Sequence, residues 1–257
     1  MRAESTTLGL VLRATPLRES DLVLLLLTAQ HGRISALARG ARRSRRRFGG
    51  ALGFAVLSRL EVRPPRGDLW TLESAEVERE WPSLSADLAA FAHAGYALEL
   101  AAALAPTELA DAHAFELTTA MLDHLATRGA SAAALRGFEL RLLDVAGSAP
   151  ALTSCAGCGD APLIAVAFAA TRGGALCARC APSTRGEVRA FDDDARAYLL
   201  AAEAGGDAAL DDATAPEARR LAREAMVAFV HHTVGHELRS VEFLGKLNAG
   251  LRRVDPT

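Results

Sequence analysis

Hydrophobic and polar positions along the first 80 residues keep a strand-like rhythm. Leu8, Leu10 and Leu12 alternate with Thr7, Gly9 and Val11, a two-residue period. Leu22 to Thr28 is a continuous apolar run, which predicts a strand buried on both faces. The turn signal His31-Gly32 introduces a third strand, Arg33 to Ala38. Phe54 to Arg63 reads as a fourth, stopped by Pro64-Pro65, and Leu69 to Ala75 as a fifth, entered through Arg66-Gly67-Asp68. Five short strands in this length predict a small barrel. The OB-fold is the five-stranded choice, and an SH3-like barrel fits the pattern almost as well.

From Trp81-Pro82 the period changes to that of a helix. Leu88, Phe91, Gly95 and Leu98 share one face, with Ser83 as candidate cap and Pro106 as the stop. Asp111 to Thr127 reads as a second helix. Leu135, Phe138, Leu142 and Val145 form the stripe of a third, closed by Gly147 and Pro150. A weak helical pattern spans Asp194 to Ala204. A clear one runs from Pro216 to about Leu238, with Leu221, Ala225 and Phe229 on its stripe and Gly205-Gly206 as the turn before it. The predicted architecture is multidomain α+β. An N-terminal OB-fold barrel (residues 1–80) precedes a mainly helical domain (81–257), which carries a four-cysteine, zinc-ribbon-like insertion at 152–184.

Composition narrows the function classes. Half of the 257 residues are hydrophobic, which excludes a disordered chain. Met1 to Thr7 is polar, the next apolar stretch is broken by Arg13, Arg18, Glu19 and Asp21, and no long charge-free apolar run follows. A cytoplasmic protein is therefore expected. The net charge of −2 hides an asymmetry. Residues 1–66 hold 13 arginines against four acids, a balance of +9, and the remainder carries −11. Such a split points to a polyanion partner for the basic half, or to pairing of the halves.

Two stretches carry candidate chemistry. Cys155-Ala-Gly-Cys158 and Cys177-Ala-Arg-Cys180 are two CxxC knuckles, and the chain has no other cysteine. Each knuckle offers two thiolates, and two knuckles complete a tetrahedron around one Zn2+ with no open position, so the predicted site is structural. Gly157 and Gly159 suit the tight first knuckle. A base deaminase needs a His-x-Glu element, which the chain lacks. The second stretch places six arginines in nine positions: Arg39, Arg42, Arg43, Arg45, Arg46 and Arg47, followed by Phe48. Guanidinium forks suit phosphate, and Phe48 and Trp70 are candidate stacking platforms. The bland reading of the run is a solvated basic loop, or one docked on acidic surface. His232 and His236 have i, i+4 spacing but lack the zincin pattern, so they are expected to be ordinary histidines. Glu19 and Asp21 read as local salt-bridging groups. No phosphate-binding glycine loop and no nucleophile–base set occurs.

Together these residues resemble the RecO family of bacterial recombination mediators over nearly the whole chain. The resemblance is carried by Leu17-Arg18-Glu19-Ser20-Asp21, His31-Gly32-Arg33-Ile34, Ala38-Arg39-Gly40-Ala41-Arg42-Arg43 and Arg47-Phe48. It continues through Phe138 to Leu143, Gly147 to Leu152 with the first knuckle, and Leu238 to Leu244. It implies an OB-fold, a helical body and a zinc module. It also implies binding of single- and double-stranded DNA, strand annealing, and help in loading RecA with RecR and the C-terminal tail of the single-strand-binding protein, all without catalysis. Location at the nucleoid follows. The matched DNA-binding positions are Arg39, Arg42, Arg43 and Arg47. Departures are Gly53 in place of an expected proline, and arginine where lysine is common, with Lys246 the only lysine. Some members lack the cysteines, so zinc is not essential to the family's general activity. The alternative is a protein–protein adaptor whose basic stretch docks acidic partners.

Overall fold

Strand-forming residues at the N-terminus close on themselves, and the rest of the chain is mostly helix. The computed structural model describes residues 5–65, 67–109 and 112–251, of which 246–251 by backbone only. Arg66 of the turn expected before the fifth strand, and Asp111 at the expected start of the second helix, lie outside the described residues. The chain divides into two compact units, Met1–Gly129 and Ala130–Thr257.

The first unit contains β1 (Ser5–Leu17), β2 (Asp21–Thr28), β3 (Gly32–Ala38), β4 (Val56–Arg63) and β5 (Trp70–Glu80). They form a closed barrel in the order β1-β2-β3-β5-β4, with β4 returning to β1. All pairs are antiparallel except β3–β5, where Ala36 faces Trp70 and Leu37 faces Thr71. That parallel closure is the OB-fold arrangement and removes the sheet edges. Leu24, Leu26, Ile34, Leu60, Val62 and Leu72 fill the interior. Gly9 on β1 is required by contact rather than by conformation. A Cβ there would lie 2.5 Å from Leu60 Cδ1 and 3.1 Å from the Leu27 carbonyl oxygen.

Two expectations for the barrel need correction. β2 is not buried on both faces throughout. Leu22, Leu24 and Leu26 point inward, while Val23 and Leu25 are half-buried on the outer side. A barrel strand has one inner face, and its outer face is covered only where something packs on it. The second correction is length. β1 and β5 run further than their apolar patterns, because Arg13–Leu17 and Glu76–Glu80 are exposed and held by pairing with β2 and β4.

Two helices complete this unit: α2 (Leu88–Leu104) and α3 (His113–Arg128). A short α1 (Arg45–Phe48) sits between β3 and β4. Pro82–Ser85 forms a 3-10 turn, and the cap of α2 is Asp87, whose carboxylate accepts from the N–H groups of Ala89 and Ala90. Ser83, the expected cap, donates to the Ala126 carbonyl at 3.1 Å instead. The expected α2 face is also displaced. Of its large residues Leu98 is buried as expected, but Leu88 and Phe91 are exposed, while Ala90, Ala94, Tyr96, Ala97, Leu100 and Ala101 are also buried. α2 is apolar on nearly every side, so spacing could not choose a face, and the small alanines allow the closest approach.

The second unit holds α4 (Ala132–Val145), α5 (Asp193–Glu203), α6 (Ala208–Ala213), α7 (Pro216–Val234) and α8 (Arg239–Leu251). Between α4 and α5 stand three short strands, β6 (Ala167–Ala169), β7 (Gly174–Leu176) and β8 (Arg189–Ala190), ordered β7-β6-β8. The stripes Leu135-Phe138-Leu142 and Leu221-Ala225-Phe229 are buried as expected. α7 stops four residues early. Gly235 adopts a left-handed conformation (φ 78°), and its N–H caps the His231 carbonyl. α6 had no signal in the sequence. It carries Asp211, which is buried and takes the N–H groups of Ala132 (2.8 Å) and Ala133 (3.0 Å) and the hydroxyl of Tyr198 (2.7 Å). Ser131 takes the N–H of Ala134, so the free donors opening α4 are met from two sides. Among the described residues, no helix is long and apolar enough to cross a membrane.

Asp211→Ala is expected to destabilise the second unit by about 2–4 kcal/mol, since it leaves two helix donors and a buried hydroxyl without an acceptor. Tyr198→Phe should cost about 1.5 kcal/mol. Urea unfolding followed by circular dichroism measures both, and equal stability of Asp211→Ala and the parent would contradict the capping role.

Candidate nucleic-acid interface and metal centre

The arginine run lies in the β3–β4 connection. Its start is a turn tied to the β1–β2 hairpin. Asp21 Oδ1 accepts the N–H of Gly40 at 2.8 Å, and the Ser20 carbonyl accepts the N–H of Arg42 at 3.0 Å. Gly40 sits at φ 65°, which lets the chain reverse there. The run ends in the single turn of α1, where Phe48 drops into the barrel core and Arg45, Arg46 and Arg47 remain outside.

All six arginines are exposed. Arg43 pairs with Glu19 at 3.1 Å, both groups well exposed, so the pair is weak. Arg47 donates to the Arg39 carbonyl at 2.5 Å, and Arg42 to the Glu19 carbonyl at 3.3 Å. Among the described residues, Arg39, Arg42, Arg45, Arg46 and Arg47 have no carboxylate partner. By contrast, Arg59 pairs with Glu78 and Arg63 with Glu73 elsewhere on the barrel. The loop is therefore a concentrated positive surface with hydrogen-bond donors to spare, suited to a chain of phosphates.

The expected stacking platforms are corrected. Phe48 is 3 % exposed and belongs to the barrel core, with the Arg47 guanidinium 4.9 Å above its ring. Trp70 is likewise buried, its indole N–H directed at Glu108 Oε1 (3.3 Å) and its ring against His31. Neither ring has a face left for a base. Each is an apolar residue beside a strand, and the barrel interior claimed it. Sequence reasoning also missed the role of Asp21. It placed Glu19 and Asp21 as salt-bridging groups, which holds for Glu19, but Asp21 grips the loop backbone.

The four cysteines converge in the second unit. Their sulfurs all lie within 4.8 Å of one another, with Cys158 and Cys177 at 4.0 Å. Sulfurs about 2.3 Å from a tetrahedral zinc stand about 3.8 Å apart, so the cluster is close to that geometry. The N–H groups of Gly157 and Cys177 point at Cys155 Sγ at 3.4 Å each. Burial pushes the Cys155 thiol up, but backbone N–H groups of Cys177, Cys158 and Gly157 outweigh it and bring it down to about 6. Cys180 is pushed up to about 12, first by its bond with Cys158 and then by burial and the other sulfurs. One sulfur thus favours the anion while its neighbour resists it, which is the crowding a divalent cation relieves. Gly157 is needed because a Cβ there would lie 2.8 Å from Cys180 Cβ and 2.9 Å from its sulfur. Gly159 serves the turn itself, at φ 78°. The thiolate-only donor set suits zinc. β6 anchors the ribbon through Phe168, edge-on to Phe191 (5.4 Å) and Phe229 (5.9 Å). His232 and His236 are exposed, and the end of α7 falls between them, so they do not share a helix face.

Fold and site together define an OB-barrel protein with a basic loop, joined to a helical unit with a four-cysteine ribbon. Residues 1–81 match the family model "Recombination protein O N terminal", and residues 85–242 match "Recombination protein O C terminal". The chain belongs to the RecO family of DNA repair proteins. A DNA repair protein RecO from Anaeromyxobacter sp. (strain K) is 46% identical over 244 residues, 93% of this chain and 95% of the relative. One from Myxococcus xanthus (strain DK1622) is 34% identical over 239 residues, 93% and 96% of the two chains. One from Geobacter sulfurreducens is 41% identical over 174 residues, 67% and 71%.

Elemental analysis of the purified protein is expected to give one zinc per chain, and Cys158→Ser to abolish its retention. Gly157→Ala should lower metal affinity at least about 10-fold, because the knuckles must separate to admit the methyl group. Chelation should lower the thermal midpoint of the wild type. Full metal retention by Gly157→Ala would contradict the close approach of the knuckles.

Proposed function

We propose that this protein is a non-enzymatic recombination mediator. It binds single- and double-stranded DNA through the Arg39–Arg47 loop, anneals complementary strands, and helps load RecA on single-stranded DNA. RecR and the acidic tail of the single-strand-binding protein are its partners, at the nucleoid in the cytoplasm. The observation that carries this reading is the set of five exposed arginines on an OB barrel that have no carboxylate partner among the described residues. Residues 1–80 serve as the nucleic-acid-binding domain, and 81–257 as the helical body, in which the 152–184 module is braced by a structural zinc.

The physical sequence is short. Arginines along the loop exchange condensed counterions for direct phosphate contacts. Contact with backbone alone carries no base preference, so any sequence is bound. Positive charge held between two strands lowers their mutual repulsion and lets complementary bases meet. Nothing in these steps requires a covalent intermediate or nucleotide hydrolysis.

Fluorescence anisotropy with labelled oligonucleotides over a salt series tests this. Five arginines each neutralising one phosphate predict a log–log slope of about −3.5 on single strands. The triple variant Arg42→Glu, Arg45→Glu, Arg46→Glu should lose most DNA affinity and strand annealing while keeping RecR. Wild-type binding that is weak at low salt, or insensitive to salt, would overturn the reading. A variant that loses the protein partner and keeps DNA would favour an adaptor whose basic stretch docks acidic proteins.

A further inference from the structure

With Phe48 and Trp70 buried, the barrel unit still presents aromatic surface. Among the described residues of Met1–Gly129, Phe54 (44 % exposed) and Phe91 (39 %) are the only exposed Phe, Tyr or Trp rings. They are together, centroids 4.6 Å apart and planes tilted by 39°. Phe54 belongs to the same β3–β4 connection as the arginines. It lies seven residues beyond Arg47, so their Cα atoms are at most about 25 Å apart. Two tight turns, closed by Ala51 N–H to Phe48 O (2.8 Å) and Gly53 N–H to Gly50 O (3.0 Å), shorten that span. Ala55 follows in the left-handed region (φ 50°), unfavourable for a residue with a Cβ. Phe91 comes from α2, where Leu88, also exposed, shares its face one turn away.

Two tilted, touching rings left partly open to water, at the end of a loop whose other end carries five guanidinium groups without a carboxylate partner among the described residues, match the two components of a single-strand site. One component tracks the backbone by charge, and the other receives bases by stacking. We propose that Phe54 and Phe91 form the base-stacking platform of this protein, receiving unstacked bases of a single strand whose phosphates lie on the Arg39–Arg47 loop. The proposal rests on the nucleic-acid reading above. A site of about 4–16 nucleotides on one barrel covers the distance between loop and rings. The platform distinguishes single strands from duplex. Bases in a duplex are already stacked, so only the arginines engage it. The extra affinity for open strands follows from rings rather than charge, and it carries no dependence on salt.

The test compares full-length wild type, Phe54→Leu, Phe91→Leu and Phe54→Trp by anisotropy, with a thymidine oligonucleotide of about twenty nucleotides and a duplex of equal length. Each leucine variant is expected to lose roughly 5- to 100-fold in single-strand affinity, with duplex affinity and salt slope unchanged. Phe54→Trp is expected to bind as the wild type does, and the added oligonucleotide to quench its new fluorescence. Wild-type affinity in both leucine variants would overturn the platform, as would equal losses for single strand and duplex, or no quenching of Phe54→Trp. Those outcomes leave wild-type DNA binding in place. Absence of wild-type binding would instead remove the underlying nucleic-acid reading.

Discussion

Asp21 has a carboxylate within reach of the most basic segment of the chain and gives it to a backbone N–H. Its Oδ1 holds Gly40, and the neighbouring Ser20 carbonyl holds Arg42 N–H, so the loop is fixed by main-chain bonds rather than by ion pairs. Had the same acid paired with a guanidinium, it would have cancelled charge as it secured the loop. Fixing the backbone and leaving the side chains alone produces a rigid base with uncompensated positive ends. Phe48 secures the other end in the same manner, by burial in the barrel.

That arrangement opposes stability in one respect. Exposed like charges repel, and among the described residues five of them have no carboxylate partner. The repulsion is modest in water and is screened by salt. It is tolerated because the loop is anchored, with Phe48 and Ala51 buried in the core of the closed barrel beneath. An anion on the loop relieves the repulsion, which makes the folded state and the bound state mutually reinforcing. The cysteine cluster follows the same principle with the sign reversed. Four sulfurs lie within 4.8 Å of one another, an arrangement whose thiolate repulsion a bound cation would relieve.

Much of this was legible in the sequence, for identifiable reasons. The turn signals between strands reflect the short strands of a barrel, and the paired CxxC knuckles the convergence of four sulfurs. The alternation of Leu8 to Leu12 marks β1 as a strand, although it is Gly9 and Val11 that face the barrel interior. What failed to show follows a pattern as well. Periodicity could not choose a face for α2, where nearly every position is apolar. It could not report Asp211, whose partners at Ala132, Ala133 and Tyr198 are remote in sequence. Nor could it reveal the buried pair Arg136–Glu139 (2.8 Å), which places two opposite charges within the apolar pattern of α4. The resemblance to a family supplied the order of the pieces, and the packing supplied which rings face solvent.

The exchange of Phe48 for Phe54 shows why exposure has to be read from the fold. Both phenylalanines follow the arginines at short range in sequence, and proximity alone favours the nearer one as the partner of phosphate-bound bases. The single turn of α1 brings its last side chain round to the barrel, and the buried environment of Ala51 and Leu60 receives it. Six residues later the chain has left the core, and Phe54 meets a ring from α2 instead of the barrel interior. A residue that anchors a basic loop must be buried, and one that greets a ligand must not be. One phenylalanine cannot do both, so the separation of the two roles over a few residues follows from burial alone.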